Sequence, residues 1–560
     1  MADEKAASPR KPTHDETGEL PPYRYDPLKH RWELKLNFMS GVTLGPWLAF
    51  LWTHWRDIHW ALFWHRVAFL SAMSVVNSVL ALFDWALHSR SVAAQALHPE
   101  PLFILGHPRS GTTHLHNLLS RDPAFAFVNT FHAGFPSSFL TLEPARGLLA
   151  GLLAPTRPMD RMALSWELPA EDEIAVNVLS GCAVSPYAAL VLPRAWRAGG
   201  GGAGGGAGGA GGAGSERAGG GVVGLRDFLD WDWEGEEGEE QQQAGGEREG
   251  AESAPAAAAA VVEKEQRGRH SSSGSGAAGG KSGGAGTAAA AAPAAPAAPA
   301  APAAPAAAPA PAVAAGEAAA AREQQQQQRW RQRRADLRAA AFARWLSAFK
   351  WFMKKVTYRH VRQHQSRQQQ RQQPGGQPPP QPQQPQPPQP QPPQQPPMLL
   401  IKSPVHTARL RTWLALFPRA RFVFVHRHPV EVFQSAAHMA DSYYPYTYLQ
   451  APDDATTNDF IMDQYELMYR SYTSHRGAVP PGRLLELPFA ELEADPLGAL
   501  RRVYDTFGWS DRWEAVAPLF GDYSASLADF KKNQFNRLSP EAEAVVRRRW
   551  APSFAEFGYS

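Results

Sequence analysis

Gly106 and Gly111 enclose the tetrapeptide His107-Pro108-Arg109-Ser110, and Thr112 and Thr113 follow directly. Glycine at both ends lets the main chain turn tightly and bring its N–H groups close to an anion, while Arg109, Ser110, Thr112 and Thr113 add a cation and hydroxyls. A helix beginning after Gly111 would aim its unpaired N-terminal donors at the same spot. The chemistry is the holding of a phosphate group. Far downstream, Arg427 and Ser435 form a second such set, a guanidinium fork plus a hydroxyl suited to a phosphate monoester. Between the two lie Lys402, Ser403 and His406, and earlier the carboxylate run Glu171, Asp172 and Glu173. His406, Glu171 and Glu173 are the candidates for a base, and their residue types do not rank them.

These residues need elements that bring them together. Leu102–Leu105 reads as a buried strand, too short and too evenly apolar for an amphipathic helix, and Thr113–Leu119 as the helix after the loop. Phe125–Val128, Met398–Ile401, Arg421–Val425 and Arg483–Leu487 read as further strands, with helices at Asn458–His475 and around Ser435. The order is βαβ at its start, hence an α/β chain with a parallel sheet. Arg109, Lys402 and Arg427 then stand at the carboxyl ends of strands, where such sheets bind ligands. His132, just after the second strand, reads as an ordinary loop histidine. Glu171 to Glu173 follow Pro169 as the acidic start of a helix, which complements the helix dipole without any catalysis.

Much of the 560-residue chain cannot build a core. Gly/Ala repeats, an acidic patch, Ala-Pro repeats and a glutamine run fill 199–328, and 363–397 is almost pure Gln and Pro. Both are expected to be disordered insertions, since they lack the apolar periodicity that offsets ordering entropy. The island 329–362 carries Trp345, Leu346, Phe349, Phe352, Met353 and Val356 on one helical face, with Lys354, Lys355 and Arg359 on others, and reads as a helix of the domain. The division is therefore a flexible polar tail at 1–35, a hydrophobic helical segment at 36–98, the first part of the catalytic domain at 99–198, the two insertions flanking the island, and the second part at 398–560. A net charge of +3 excludes nothing but a strongly polyanion-driven function, and nucleic acid is not an expected partner. The single cysteine, Cys182, rules out an internal disulfide framework or a cysteine metal centre and reads as a small buried residue.

The segment Leu36–Leu87 is apolar and rich in tryptophan, and its purest part, Val67–Phe83, sits at the lower length limit for a spanning helix. Three readings are open: a membrane-spanning anchor, a helical hairpin in the membrane interface, or an extension packed on the catalytic domain. Lys and Arg are more numerous before Val67 than just after Phe83, so a spanning helix would have its N-terminus in the cytoplasm. The catalytic domain would then lie in a Golgi or other endomembrane lumen; without spanning it stays cytoplasmic.

The loop differs from the nucleotide loop G-x-x-x-x-G-K-[ST] in one respect. Thr112 stands where the lysine belongs, and the cation, Arg109, lies inside the loop. A sulfuryl group carries less charge than a terminal phosphoryl group, so an arginine and backbone donors can serve without a metal. PRSGTT resembles the 5′-phosphosulfate loop of sulfotransferases that use 3′-phosphoadenosine 5′-phosphosulfate (PAPS), and RFVFVHRHP followed by Ser435 resembles their 3′-phosphate site. The segments PAEDE, with Glu171 and Glu173, and KSPVH, with Lys402 and His406, resemble the bacterial and algal sulfotransferases. The resemblance covers roughly 36–198, 337–362 and 398–557. It implies a three-layer α/β fold of the P-loop NTPase-like sulfotransferase type, with an N-terminal helical extension and long insertions, and PAPS as co-substrate with no metal. Arg109, Ser110, Gly111, Thr112, Thr113, Arg427 and Ser435 would bind it, and Lys402 would follow the sulfuryl group to a hydroxyl or amine.

Pro404 occupies the position of the base in the cytosolic sulfotransferases, and Pro488-Phe489 replaces the usual tyrosine-containing wording, so the base is not carried over. The acceptor is equally open among carbohydrate, lipid, phenol and peptide. Two other readings remain, a P-loop nucleotide hydrolase or kinase, which needs a metal, and a non-catalytic membrane-associated scaffold.

Overall fold

The computed structural model describes residues 23–181, 186–194, 311–372, 395–535 and 537–560. The chain divides into two units, Met1–Glu240 with Asp336–Ser560, and Gln241–Ala335; the described part of the second is helix alone. Cys182, most of the Gly/Ala and Ala-Pro tract, the core of the Gln/Pro tract and the first part of the polar tail lie outside the described residues.

Five strands form one parallel sheet in the order β2-β3-β1-β4-β5: β1 Leu102–Leu105, β2 Phe125–Phe127, β3 Met398–Lys402, β4 Arg421–His426 and β5 Leu484–Pro488. All five expected strands are present within a residue or two. β1 is central, with Ile104 beside Lys402 on one side and Val423 on the other. Alternate residues feed two cores: Phe103, Leu105, Phe422 and Phe424 face one, while Leu102, Ile104, Val423 and Val425 face the other. Such unbroken apolar runs are what a sheet buried on both faces requires. Helices Thr112–Leu119, Pro496–Thr506 and Trp513–Ala525 contribute to the second core. Helices Pro429–Ser442 and Asp454–His475 and the N-terminal segments contribute to the first, giving three layers.

The chain leaves β1 toward β2 and leaves β4 toward β5, so connections diverge between β1 and β4. Ligands bind at such a switch point, beyond the carboxyl ends of the strands.

The island helix is longer than expected, running Pro311–Gln372. Its apolar stripe is buried as the spacing predicts, including Trp345, Phe349, Phe352 and Met353. Both ends extend into alanine- and glutamine-rich sequence, which helix propensity favours once a packed centre has nucleated the turn. Lys355, read as an outer-face cation, is instead 1 % exposed and pairs with Asp84 of the N-terminal helix at 2.9 Å.

The polar tail is also shorter than expected. Tyr25 donates its backbone N–H to Asp454 and its hydroxyl to Asn458, Lys29 pairs with Asp441, and the His30 ring stacks on Tyr446, so 23–35 is docked on the domain.

The apolar segment forms helices Leu44–His54 and Trp60–Ala94. The second is long and apolar enough to cross a membrane, yet it is tied to the body along its length. Buried Arg66 donates to the carbonyls of Pro445, Tyr448 and His30, Asn77 donates to those of Ser40 and Val42, and Asp84 accepts from the backbone N–H groups of Leu140 and Thr141.

Candidate active site

The loop after β1 has the backbone the glycines suggested. Gly106 and Gly111 have φ of 138° and 100°, and Arg109 itself sits at 75°, a left-handed conformation unusual for a side chain of its size. A Cβ at Gly106 would lie 2.4 Å from the Val425 carbonyl oxygen, so only glycine lets the loop run against β4. At Gly111 it would lie 2.1 Å from the Phe489 ring. The loop is pinned internally by the Ser110 hydroxyl donating to the His107 carbonyl, and externally by the Gly106 N–H donating to Thr407 Oγ1. Helix Thr112–Leu119 follows with no side-chain cap, leaving its first N–H groups turned toward the loop. Ser110 and Thr112 are buried within this turn.

Arg109 and Ser435 meet: the arginine Nε donates to Ser435 Oγ at 2.9 Å, and its Nη1 reaches Asp160 at 2.9 Å. The family resemblance pairs Ser435 with Arg427. Arg427, between β4 and helix Pro429–Ser442, instead reaches Glu431 in the first turn of that helix at 2.7 Å, lies across the Phe489 ring, and brings Nη1 to 3.5 Å from the Arg109 carbonyl oxygen. All three residues therefore share one crevice, from opposite sides of the switch point. Burial lowers the Arg109 pKa below its ordinary value, against the pull of Asp160. Asp160 is the residue that sequence reading missed here. Burial pushes its carboxyl up, but Arg157 and Arg109 outweigh this and hold it below the usual range.

Three consecutive carboxylates meet three basic residues spread along the chain after β3. Lys402 Nζ lies 2.5 Å from Glu171 Oε1 and 3.1 Å from Thr113 Oγ1. Asp172 takes His406 Nε2 at 2.7 Å and the Ser403 hydroxyl at 3.1 Å. Glu173 takes both terminal nitrogens of Arg409, at 3.0 and 3.2 Å, and the Trp345 indole N–H. Glu171 is the N-cap of helix Asp172–Leu179, whose first turn holds the other two. Each carboxylate thus points to a different part of the 402–409 segment.

This ladder separates the base candidates. His406 and Glu173 are each 0 % exposed and packed under aromatic rings of Trp413 and Trp345, so neither presents an open face to an acceptor. The expectation that either contacts the acceptor therefore conflicts with their burial, which follows from their ion pairs. Glu171 alone of the three keeps its side chain 25 % exposed, beside the lysine and the phosphate-binding loop. Burial pushes the Glu171 carboxyl up, but Lys402 and a hydrogen bond from Tyr187 outweigh it and leave its pKa below the ordinary value. Burial likewise draws the Lys402 ammonium down, only partly opposed by Glu171. Asp172, Glu173 and His406 bring oxygen and nitrogen atoms within 4.8 Å of one another, a spacing that suits a metal ion, but a basic or hydrogen-bonding partner already occupies each carboxylate.

Tyr187 and Phe489 complete the site; Phe489 was noted only as a departure from the family's wording, and Tyr187 not at all, because each reaches the site only through tertiary packing. Lys531 and Lys532 are exposed; Lys532 pairs with Glu493, and the neighbouring Asn533 donates to the Met159 carbonyl beside Asp160.

Known proteins resemble this chain. The omega-hydroxy-beta-dihydromenaquinone-9 sulfotransferases of Mycobacterium bovis and Mycobacterium tuberculosis are each 33 % identical over 161 residues, 29 % of this chain and 41 % of theirs. The chain thus matches about two fifths of the length of these relatives. Solved structures of the sulfotransferases STF1 of Mycobacterium tuberculosis H37Rv and STF9 of Mycobacterium avium align over 90 % and 91 % of this chain, covering 90 % and 96 % of theirs, at 14 % and 12 % identity and a TM-score of 0.42 in each case. The profile of the sulfotransferase family matches residues 101–162 and 290–515, just over half of the sequence, and takes in the loop after β1, Lys402, Arg427 and Ser435: the chain belongs to the sulfotransferase family.

Proposed function

We propose that this chain transfers a sulfuryl group from PAPS to a hydroxyl of an apolar acceptor. The observation that carries the reading is the convergence of Arg109, Ser435 and Arg427 on one crevice, with Lys402 held between Glu171 and Thr113 at its edge. One anion needs the donors of a glycine-bounded turn, a second needs an arginine and a hydroxyl, and both sets are present side by side. When bound, PAPS supplies the sulfuryl group: the acceptor oxygen bonds to sulfur as the S–O bond to the 5′-phosphate breaks.

The chain's own residues do the rest. Ser110, Thr112 and Thr113, with the N–H groups of the turn, hold the 5′ end and stabilise the charge that grows on the leaving oxygen, as preorganised donors do. Arg109, Arg427 and Ser435 hold the 3′-phosphate end and so fix the register. Lys402 turns from Glu171 toward the sulfuryl oxygens. Glu171 takes the acceptor proton. Its low pKa in the paired state makes it a weak base, but the pairing ends when Lys402 turns away; burial, which pushes the carboxyl up, then dominates and strengthens the base. His406 and Glu173 act at a distance by fixing the 402–409 segment against helix Asp172–Leu179.

The mycobacterial relatives are named for an omega-hydroxy menaquinone derivative, which favours a hydroxyl on an apolar molecule as acceptor here. The test of the cofactor is binding of 3′-phosphoadenosine 5′-phosphate in EDTA, by wild type and by Arg427→Ala. Metal-free binding that the substitution weakens tenfold or more, with ATP a poor competitor, is the expected result. Binding that needs Mg²⁺ and prefers ATP would move the chain to the nucleotide hydrolases.

A further inference from the structure

Helix Trp60–Ala94 buries Phe63, Val67, Leu70 and Val92 together with polar residues, and leaves an unbroken apolar face outward from Trp60 to Leu87. Every exposed residue from Trp60 to Leu87 is Ala, Val, Leu, Phe or Trp, whereas its polar residues Arg66, Ser74, Asn77 and Asp84 are turned inward and buried. A helix packed on a water-soluble body carries polar residues outward. Its outward side chains are large and open: Trp64 is 58 % exposed, Leu82 66 %, Phe83 57 % and Leu87 65 %. Helix Leu44–His54, joined to it by a short turn, continues the face with Leu48 at 54 % and Trp52 at 87 %. Polar groups cost free energy in hydrocarbon and therefore point into the protein when lipid is outside.

We propose that this outward face docks on an anionic lipid bilayer, with the helix axis in the plane of the membrane. The position of the anchors fixes the orientation. Arg66 is bound to the carbonyls of Pro445 and Tyr448 at one end, and Asp84 to Lys355 and the Leu140 N–H at the other. A helix fastened to the same body at both places cannot pass through a bilayer without stripping a buried arginine and a buried aspartate of their partners. Charge and aromatic placement suit a headgroup layer. Exposed arginines bracket the apolar stretch, Arg56 beside the Trp55 ring before it and Arg90 after it, and none of its exposed residues carries a charge. Tryptophans Trp52, Trp55, Trp60 and Trp64 gather at one end, the residue type that prefers the membrane interface. A protein partner is the poorer fit, because protein interfaces carry a hydrogen bond every ~100–200 Å² and the exposed side chains of residues 60–87 offer no polar group except indole N–H.

The experiment is flotation of the full chain with vesicles of phosphatidylcholine, with and without phosphatidylglycerol, comparing wild type with the triple variant Val79→Gln, Leu82→Gln and Phe83→Gln. All three side chains are exposed, and an unchanged urea unfolding transition shows that the variant is folded. Wild type should float with the anionic vesicles, and the variant should partition about a hundredfold less. Nitroxide labels at Trp64→Cys and at Leu87→Cys, each in a Cys182→Ser background, should report the same shallow depth. The proposal is overturned if wild type does not float, if the variant floats equally, if the two labels lie at widely different depths, or if wild type is a dimer that the three substitutions dissociate. Lipid docking and sulfuryl transfer fail independently, since nucleotide binding is measured without vesicles.

Discussion

Replacing Glu171 by glutamine separates its two assigned tasks, taking a proton and pairing with Lys402. The amide has the size of the carboxyl and can still accept the Tyr187 hydrogen bond, so the crevice keeps its shape. It cannot take a proton. If Glu171 is the base, Glu171→Gln lowers turnover by about 10²- to 10⁴-fold, or ~3–5 kcal/mol of barrier, the usual contribution of general base catalysis. Nucleotide affinity should move the other way. Lys402 lies 2.5 Å from Glu171 Oε1 and is 3 % exposed, so losing the negative partner leaves its ammonium directed at Thr113 and the anion site. The product 3′-phosphoadenosine 5′-phosphate is then bound as tightly as before or more tightly. Single-turnover transfer and equilibrium binding of the product, measured on the same preparation, report the two effects separately. The pH profile of wild type adds a third readout: the paired carboxyl lies below its ordinary 4.5, so the free enzyme should show no loss of kcat/KM from this group between pH 8 and 5. Transfer by Glu171→Gln within threefold of wild type would refute the assignment, whatever happened to binding.

Two further outcomes concern the scaffold. Breaking the buried pair of Lys355 and Asp84 with Asp84→Asn should cost about 3–5 kcal/mol in chemical unfolding, because the ammonium stays buried at 1 % exposure; adding Lys355→Met should recover part of that loss, and additive costs would show that the pair is uncoupled. Burial holds the His107 pKa near 3 in the fold, against an ordinary 6.5, so the unfolded chain binds a proton that the native chain refuses between those values. The stabilising neutral state is complete above pH 6.5 and is lost as pH falls, at up to ~1.4 kcal/mol per pH unit from this histidine. Urea unfolding at pH 7.5, 6 and 5 should show a shallower dependence in His107→Gln than in wild type; equal slopes would contradict the burial account.

The sheet and the anion loop were legible because their signals are local. LFIL, MLLI and RFVFV are too short and too apolar to be anything but buried strands, and the spacing of Gly106 and Gly111 demands backbone angles that other residues resist. The partner of each charge was not legible. Glu173 and Arg409 lie 236 positions apart, and nothing local tells Glu171, which stays open, from Glu173, which is sealed. Asp160 was hidden for the same reason: its partner Arg157 is three residues away, but only the fold brings Arg109 to it. Helix Trp60–Ala94 shows the limit from the other side. Its composition left a spanning anchor, an interfacial hairpin and a packed extension open, and which face carries Arg66, Asn77 and Asp84 emerges only when their acceptors in the body are in place.

The central position of β1 also bears on how this chain is made. Both hydrogen-bonding neighbours of Leu102–Leu105, β3 and β4, are encoded roughly three hundred residues later. At ~5–20 residues per second, a ribosome needs on the order of 15–60 s to supply them. Through that interval the nascent polypeptide carries LFIL with both edges unsatisfied, and the phosphate-binding turn has no β4 to rest on. The amino-terminal half is therefore not an autonomous folding unit. Its sheet is completed only when the distal half emerges, so β1 and β2 gain their hydrogen-bonding neighbours late in synthesis.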